Sequence, residues 1–141
     1  MIKAAIMGYG TVGSGVYEVI KKNQVSINKK VGQELKVQYV LDLREFPGDP
    51  VMDVLTHDFE DIIKDDEVKI VAEVMGGLHP AYEFTKRCLE AGKSVCTSNK
   101  ELVAEHGAAA RKHRRHRLGY LYAPYNLESK RTRGCVQRPL D

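Results

Sequence analysis

The spacing of hydrophobic positions changes in a regular order along the chain. Residues 2–7 form a short apolar run broken only by Lys3 and closed by glycine, the pattern of a strand buried on both faces of a parallel sheet. Val12, Val16, Val19 and Ile20 then recur at helical spacing, and Lys21, Lys22 and Asn23 open the polar side. A helix is predicted from Gly13 to about Lys30, ending near Gly32. Residues 35–41 alternate as a second strand does, and Pro47-Gly48-Asp49-Pro50 follows as a turn cluster. A short helix is expected over 58–64, where Phe59, Ile62 and Ile63 share one side, and a strand over 69–75, stopped by Gly76-Gly77. Pro80 suits a first helical turn, and Ala81, Phe84, Cys88 and Leu89 make an apolar face up to Ala91-Gly92. Residues 94–97 read as a further brief strand, and a last helical stretch starts near Glu101 or His106 and runs into Arg117. Strands alternating with helices predict an α/β fold: a doubly wound, mostly parallel sheet with helices on both faces and the first strand at its centre.

Composition narrows this picture only in part. A chain of 141 residues is long enough to bury one core. It contains no apolar stretch of the roughly 18 to 20 residues that span a bilayer, and its start enters a strand pattern with no charged-then-apolar leader. A cytoplasmic protein with no membrane partner is expected. Cys88, Cys96 and Cys135 are odd in number and far apart, which fits reduced structural thiols and leaves no metal site to assign. Charge divides the chain: residues 1–110 hold 13 Lys/Arg against 17 Asp/Glu, and residues 111–141 hold 9 against 2. The expected organisation is therefore one folded unit over 1–110 and a basic tail over 111–141. With neither an aromatic platform nor a helix-turn-helix pattern beside it, the run 111–117 reads as a solvated face, and nucleic acid is not expected as a partner.

The first strand and helix are joined by Gly8-Tyr9-Gly10-Thr11-Val12-Gly13. Glycines at this spacing are weak evidence alone, but directly between a strand and a helix they mark a Rossmann-type dinucleotide site. Gly8 permits the tight turn, Gly10 leaves room for a pyrophosphate at the backbone, and Gly13 lets helix and strand pack closely. The N–H groups opening the helix then face the phosphates. Asp42, after the second strand, is placed to accept from the ribose hydroxyls of NAD and to repel the 2′-phosphate of NADP. Arg44 offers that phosphate a guanidinium, so NAD is favoured and NADP stays open.

Two more segments carry the identification further. Val71-Ala72-Glu73-Val74-Met75-Gly76-Gly77 and the stretch from Ser94 through Thr97-Ser98-Asn99-Lys100 to His106-Gly107 stand in order after the glycine loop. Together they resemble the cofactor half of homoserine dehydrogenase over residues 1 to about 110. The resemblance implies reversible hydride transfer between a nicotinamide and aspartate semialdehyde, giving homoserine on the route to threonine and methionine. By motif position it implies that Gly10, Thr11 and Val12 contact the pyrophosphate, and that Gly76 and Gly77 lie against the nicotinamide ribose. Thr97 and Ser98 would add polar contacts near the nicotinamide, and Lys100 would be the catalytic lysine, its ammonium stabilising negative charge on the aldehyde oxygen. Glu73 and His106 read as structural.

After Ala110 the family pattern stops: the expected Glu-Ala-Ser-Val-like strand exit and glycine-rich stretch are replaced by the basic run, with only Tyr120-Leu121-Tyr122 echoing a strand. The expectation is a truncated or frame-shifted product that binds cofactor but turns over little or nothing alone. In the family a substrate domain supplies the substrate grip and a dimer-forming sheet, so a homo-oligomer is an open expectation. A stand-alone dinucleotide-binding or redox-sensing module is the competing reading.

Overall fold

The computed structural model describes residues 1–77 and 79–98 and the backbone of 118–119. Among them, β1 (Ile2–Met7), β2 (Leu35–Leu41), β3 (Leu55–Thr56), β4 (Val68–Glu73), β5 (Ser94–Thr97) and β6 (Leu118–Gly119) form one sheet in the order β3-β2-β1-β4-β5-β6. Every neighbouring pair is parallel. Helices α1 (Thr11–Lys22), α2 (Gln24–Val31), α3 (Glu60–Lys64) and α4 (Ala81–Glu90) complete the unit, with a 3₁₀ turn at Pro50–Asp53. The expected doubly wound α/β architecture is present, with β1 inside the sheet and the order reversing beside it.

Alternation along β1 supplies both faces. Ala5 and Met7 enter one buried cluster with Phe59, Ile62, Cys88 and Leu89, which brings α3 and α4 onto that face. Ile6 enters the other with Tyr9, Tyr17, Val37, Val40 and Val51, the cluster on which α1 packs. Each fully buried Leu or Ile contributes about 1.5–3 kcal/mol over its exposed state. Lys93, only 3% exposed, donates from Nζ to the carbonyls of Asp65 (2.7 Å) and Val68 (2.9 Å), tying the start of β5 to the start of β4. Burial holds its pKa below the ordinary lysine value.

Several elements differ from expectation in extent or number. The first long helix is two, because the Asn23 side chain turns back to donate to the Val19 carbonyl (2.8 Å) and its backbone leaves helical geometry before α2 resumes. The second piece ends at Gly32 in the left-handed region (φ +82°), where the glycine pattern places the stop. Strand β3 went unread, since two residues cannot display a period. The strand expected over 69–75 is β4 and ends at Glu73, where the chain turns toward Gly77 at φ +80°. The last helical stretch, Tyr120 to Tyr122 and the tail apart from Leu118–Gly119 lie outside the described residues. Among the described residues no helix is long and apolar enough to cross a membrane.

Helix α1 lies hard against β1. A methyl group at Gly13 would sit 2.0 Å from the Gly8 carbonyl oxygen, which is backbone and cannot yield, and Gly8 itself holds φ +104°. We expect Gly13→Ala to destabilise the chain by about 2–3 kcal/mol in urea unfolding through overpacking; an unchanged midpoint would mean that α1 can shift away without cost.

Candidate functional site

The strand registers align Thr56, Leu41, Met7, Glu73 and Thr97 as one row across the sheet. The next residue of each strand, His57, Asp42, Gly8, Val74 and Ser98, therefore starts a loop at the carboxyl edge. Most residues read from the sequence as cofactor contacts belong to these loops or to the helix start facing them, because parallel strands bring their carboxyl ends together.

A cleft of about 500 Å³ opens at this edge, where Gly8, Gly10, Asp42, Arg44 and Gly76 meet Leu43, His57, Met75 and the rings of Phe59 and Phe84. The two rings stack with centroids 4.1 Å apart and form an apolar wall. Gly10 stands immediately before α1, whose N-terminus has no side-chain cap and no acidic residue in its first turn. A Cβ on Gly10 would meet nothing within 4 Å, so the protein's own packing does not require glycine there. Room for a ligand beside uncapped N–H groups is what an anionic phosphate needs. Thr11 and Val12 are exposed on the first turn, and Gly13 is buried beneath it.

Asp42 is held from three sides. Its Oδ2 accepts from the Tyr9 N–H at 2.9 Å, its Oδ1 accepts from the Arg44 N–H at 2.9 Å, and the Arg44 guanidinium forks onto both oxygens at 3.0 and 2.9 Å. The Asp42 side chain is 9% exposed and that of Arg44 64%. The Arg44 guanidinium first, then the two backbone N–H groups, hold the carboxyl down at about 2, against burial, which pushes the other way. His57 Nδ1 lies 2.7 Å from the Asp42 carbonyl oxygen.

Tyr9 keeps the glycine loop and the loop after β2 in register. Its ring meets Phe46 edge-on at 4.8 Å, and its hydroxyl donates to the Asp49 carboxylate at 3.2 Å. Burial, then Asp49, raises the phenol to about 12, so it stays neutral.

At the other end of the cleft, Gly76 and Gly77 are exposed on the loop after β4. Thr97 is 2% exposed, and its hydroxyl donates to the carboxylate of the wholly buried Glu73. The exposed Ser98 donates its N–H to the Glu73 carbonyl at 3.3 Å. The structure thus brings Gly8, Gly10, Asp42, Arg44 and Gly76 to one cleft and puts Thr97 behind it, while Lys100 lies outside the described residues. His57, Met75, Phe59 and Phe84 were not read as site residues. For the two rings the apolar helical pattern was visible, but it is the same pattern that marks core.

Known proteins resemble this chain. The family model of the homoserine dehydrogenase NAD-binding domain matches residues 8–122. Homoserine dehydrogenase of Lactococcus lactis is 36% identical over 117 residues, covering 78% of this chain and 27% of the relative. That of Pseudomonas aeruginosa is 35% identical over 107 residues, 75% of this chain and 25% of the relative. The chain therefore spans about a quarter of the length of these curated relatives. The crystal structure of the S. aureus homoserine dehydrogenase superposes with a TM-score of 0.76 at 30% identity, covering 84% of this chain and 31% of that one. A hyperthermophilic archaeal homoserine dehydrogenase in complex with NADPH shares the fold, with a TM-score of 0.62 at 23% identity over 79% of this chain and 40% of that one. The chain belongs to the homoserine dehydrogenase family and forms its NAD-binding domain.

Proposed function

We propose that the cleft binds NAD as the cofactor half of a homoserine dehydrogenase, and that NADP can take the same place. The observation that carries this is the vacancy at Gly10: a glycine the fold does not require, at an uncapped helix start, between the loops after β1, β2 and β4. Gly10, Thr11 and Val12 take the pyrophosphate, and Gly8 and Gly13 set the height of the loop beneath it. Asp42 accepts from the ribose hydroxyls, and Arg44 leaves its fork on Asp42 to pair with a 2′-phosphate where one is present. Gly76 and Gly77 lie along the nicotinamide ribose. Ser98 borders the nicotinamide, with Thr97 behind it.

A bound nicotinamide supplies or accepts hydride. Lys100, assigned by motif position, stabilises negative charge on the aldehyde oxygen of aspartate semialdehyde and delivers the proton that makes homoserine. The groups gripping the amino acid are assigned to the portion of the relatives outside the match. These 141 residues alone are then expected to bind cofactor with little or no turnover of homoserine.

Titrating the chain with NADH and following nicotinamide fluorescence tests the reading. Saturable binding is expected, with no rise in reduced-cofactor absorbance when homoserine and NAD are added to the chain. Gly10→Ala should weaken NADH at least about tenfold while unfolding stays within about 1 kcal/mol of wild type, since only an N-cap glycine has changed. Failure of wild type to bind would overturn the assignment. Acid supplies a second test. Because the Asp42 carboxyl is depressed from 3.8 to about 2 in the fold, its stabilisation is whole above about pH 4 and is lost as pH falls through 2. With Arg44 largely exposed the contribution is roughly 1–2 kcal/mol. Urea unfolding of Asp42→Asn should show its largest deficit at pH 5 and converge on wild type by pH 2; parallel curves would rule out the pair as the source.

A further inference from the structure

Glu73 is an acid in a strand whose neighbours across the row, Met7 and Leu41, are apolar. It is 0% exposed. Packing alone asks only for bulk at such a position, and a buried carboxylate is costly unless its oxygens are engaged. Both are engaged. The register sets Glu73 beside Thr97 on one face, and Oε2 accepts from the Thr97 hydroxyl. Oε1 accepts from the Met75 N–H at 2.8 Å, beyond the end of β4, while the Glu73 carbonyl accepts from the Ser98 N–H at 3.3 Å. One residue thus ties the turn at Val74–Met75 to the end of β5.

Met75, whose N–H this bond holds, itself lines the cleft. The chain leaving β5 runs through Ser98 toward Lys100, three residues after Thr97. The adenosine end is built differently, from Gly10, Asp42 and Arg44 on the elements after β1 and β2, and none of the Glu73 bonds above reaches them.

We infer that Glu73, through Met75 and Thr97, is a positioning residue for the nicotinamide end of the cleft. It holds the loop after β4 and the end of β5 as one wall without touching the cofactor. This rests on the cofactor reading above, and it predicts damage at one end of the ligand only. The probes are NADH and ADP, which shares the adenosine and pyrophosphate but has no nicotinamide. With the full chain, Thr97→Val should raise the Kd for NADH about tenfold and leave that for ADP within about twofold, a size set by one charge-assisted hydrogen bond. Glu73→Gln keeps an acceptor for Met75 and should act in the same direction more weakly. Thr97→Ser, which restores the hydroxyl, should return NADH binding to near wild type. NADH and ADP weakening in step with lost stability, or neither changing, overturns the positioning role. Wild type binding neither probe overturns the cofactor reading and this inference with it.

Discussion

The contact between Gly13 and the Gly8 carbonyl governs where everything else can stand. At Gly13, helix α1 approaches the Gly8 backbone so closely that no side-chain atom fits between them, and the uncapped first turn stands just past the end of β1. Were the helix displaced outward by one methyl group, its first N–H groups would no longer converge with the loops after β2 and β4. The demand for glycine therefore falls on Gly8, at φ +104°, and on Gly13, packed against backbone, where the fold needs it for its own reasons. Gly10, between them, is free of that demand. Within one six-residue motif, two glycines answer to the fold and one to the space above it.

A single register row explains why the remaining groups assemble. Parallel pairing puts Leu41, Met7, Glu73 and Thr97 level, so one step further along each strand the chain must leave the sheet, and the departures lie side by side. Three of these departures are pinned by polar groups: Asp42 by Tyr9 and Arg44, the turn after β4 by Glu73, and the end of β5 by Glu73 again. Loops at the edge of a sheet would otherwise be its softest parts. Hydrogen bonds to carboxylate and carbonyl oxygens stiffen them where a ligand would need fixed walls.

Most of the architecture was legible in the sequence because periods of 2 and 3.6 are written over several residues at a time. The β1 run, the α1 face and the stop at Gly32 all have enough length for the pattern to declare itself. The two-residue β3 has none, and the break at Asn23 depends on a side chain choosing the Val19 carbonyl, which apolar spacing does not record. The site was legible in a different way. Gly8 and Gly13 could be read because each is a backbone requirement attached to a residue type, Gly10 because the motif leaves space open above it, and Asp42 because a strand end fixes its place. His57 and Phe84 reach the cleft only through tertiary packing, so no local signal separates them from a surface histidine and a core phenylalanine.

The two carboxylates at this edge show how burial sorts the same chemical group into different work. Asp42 keeps one side toward the cleft, and its partner Arg44 is mostly in water, so the pair can open at small cost and exchange one hydrogen-bonding partner for another. Glu73 has no exposed surface, and its bonds include those from the Met75 N–H, just beyond β4, and from the Thr97 hydroxyl on β5. Removing such a bond from an apolar interior beside Met7 costs more than losing an exposed ion pair. An acid that can change partners suits contact with a ligand that comes and goes. One that cannot is suited to holding the frame in which the first does its work, and the row register places the two only two strands apart, on either side of β1.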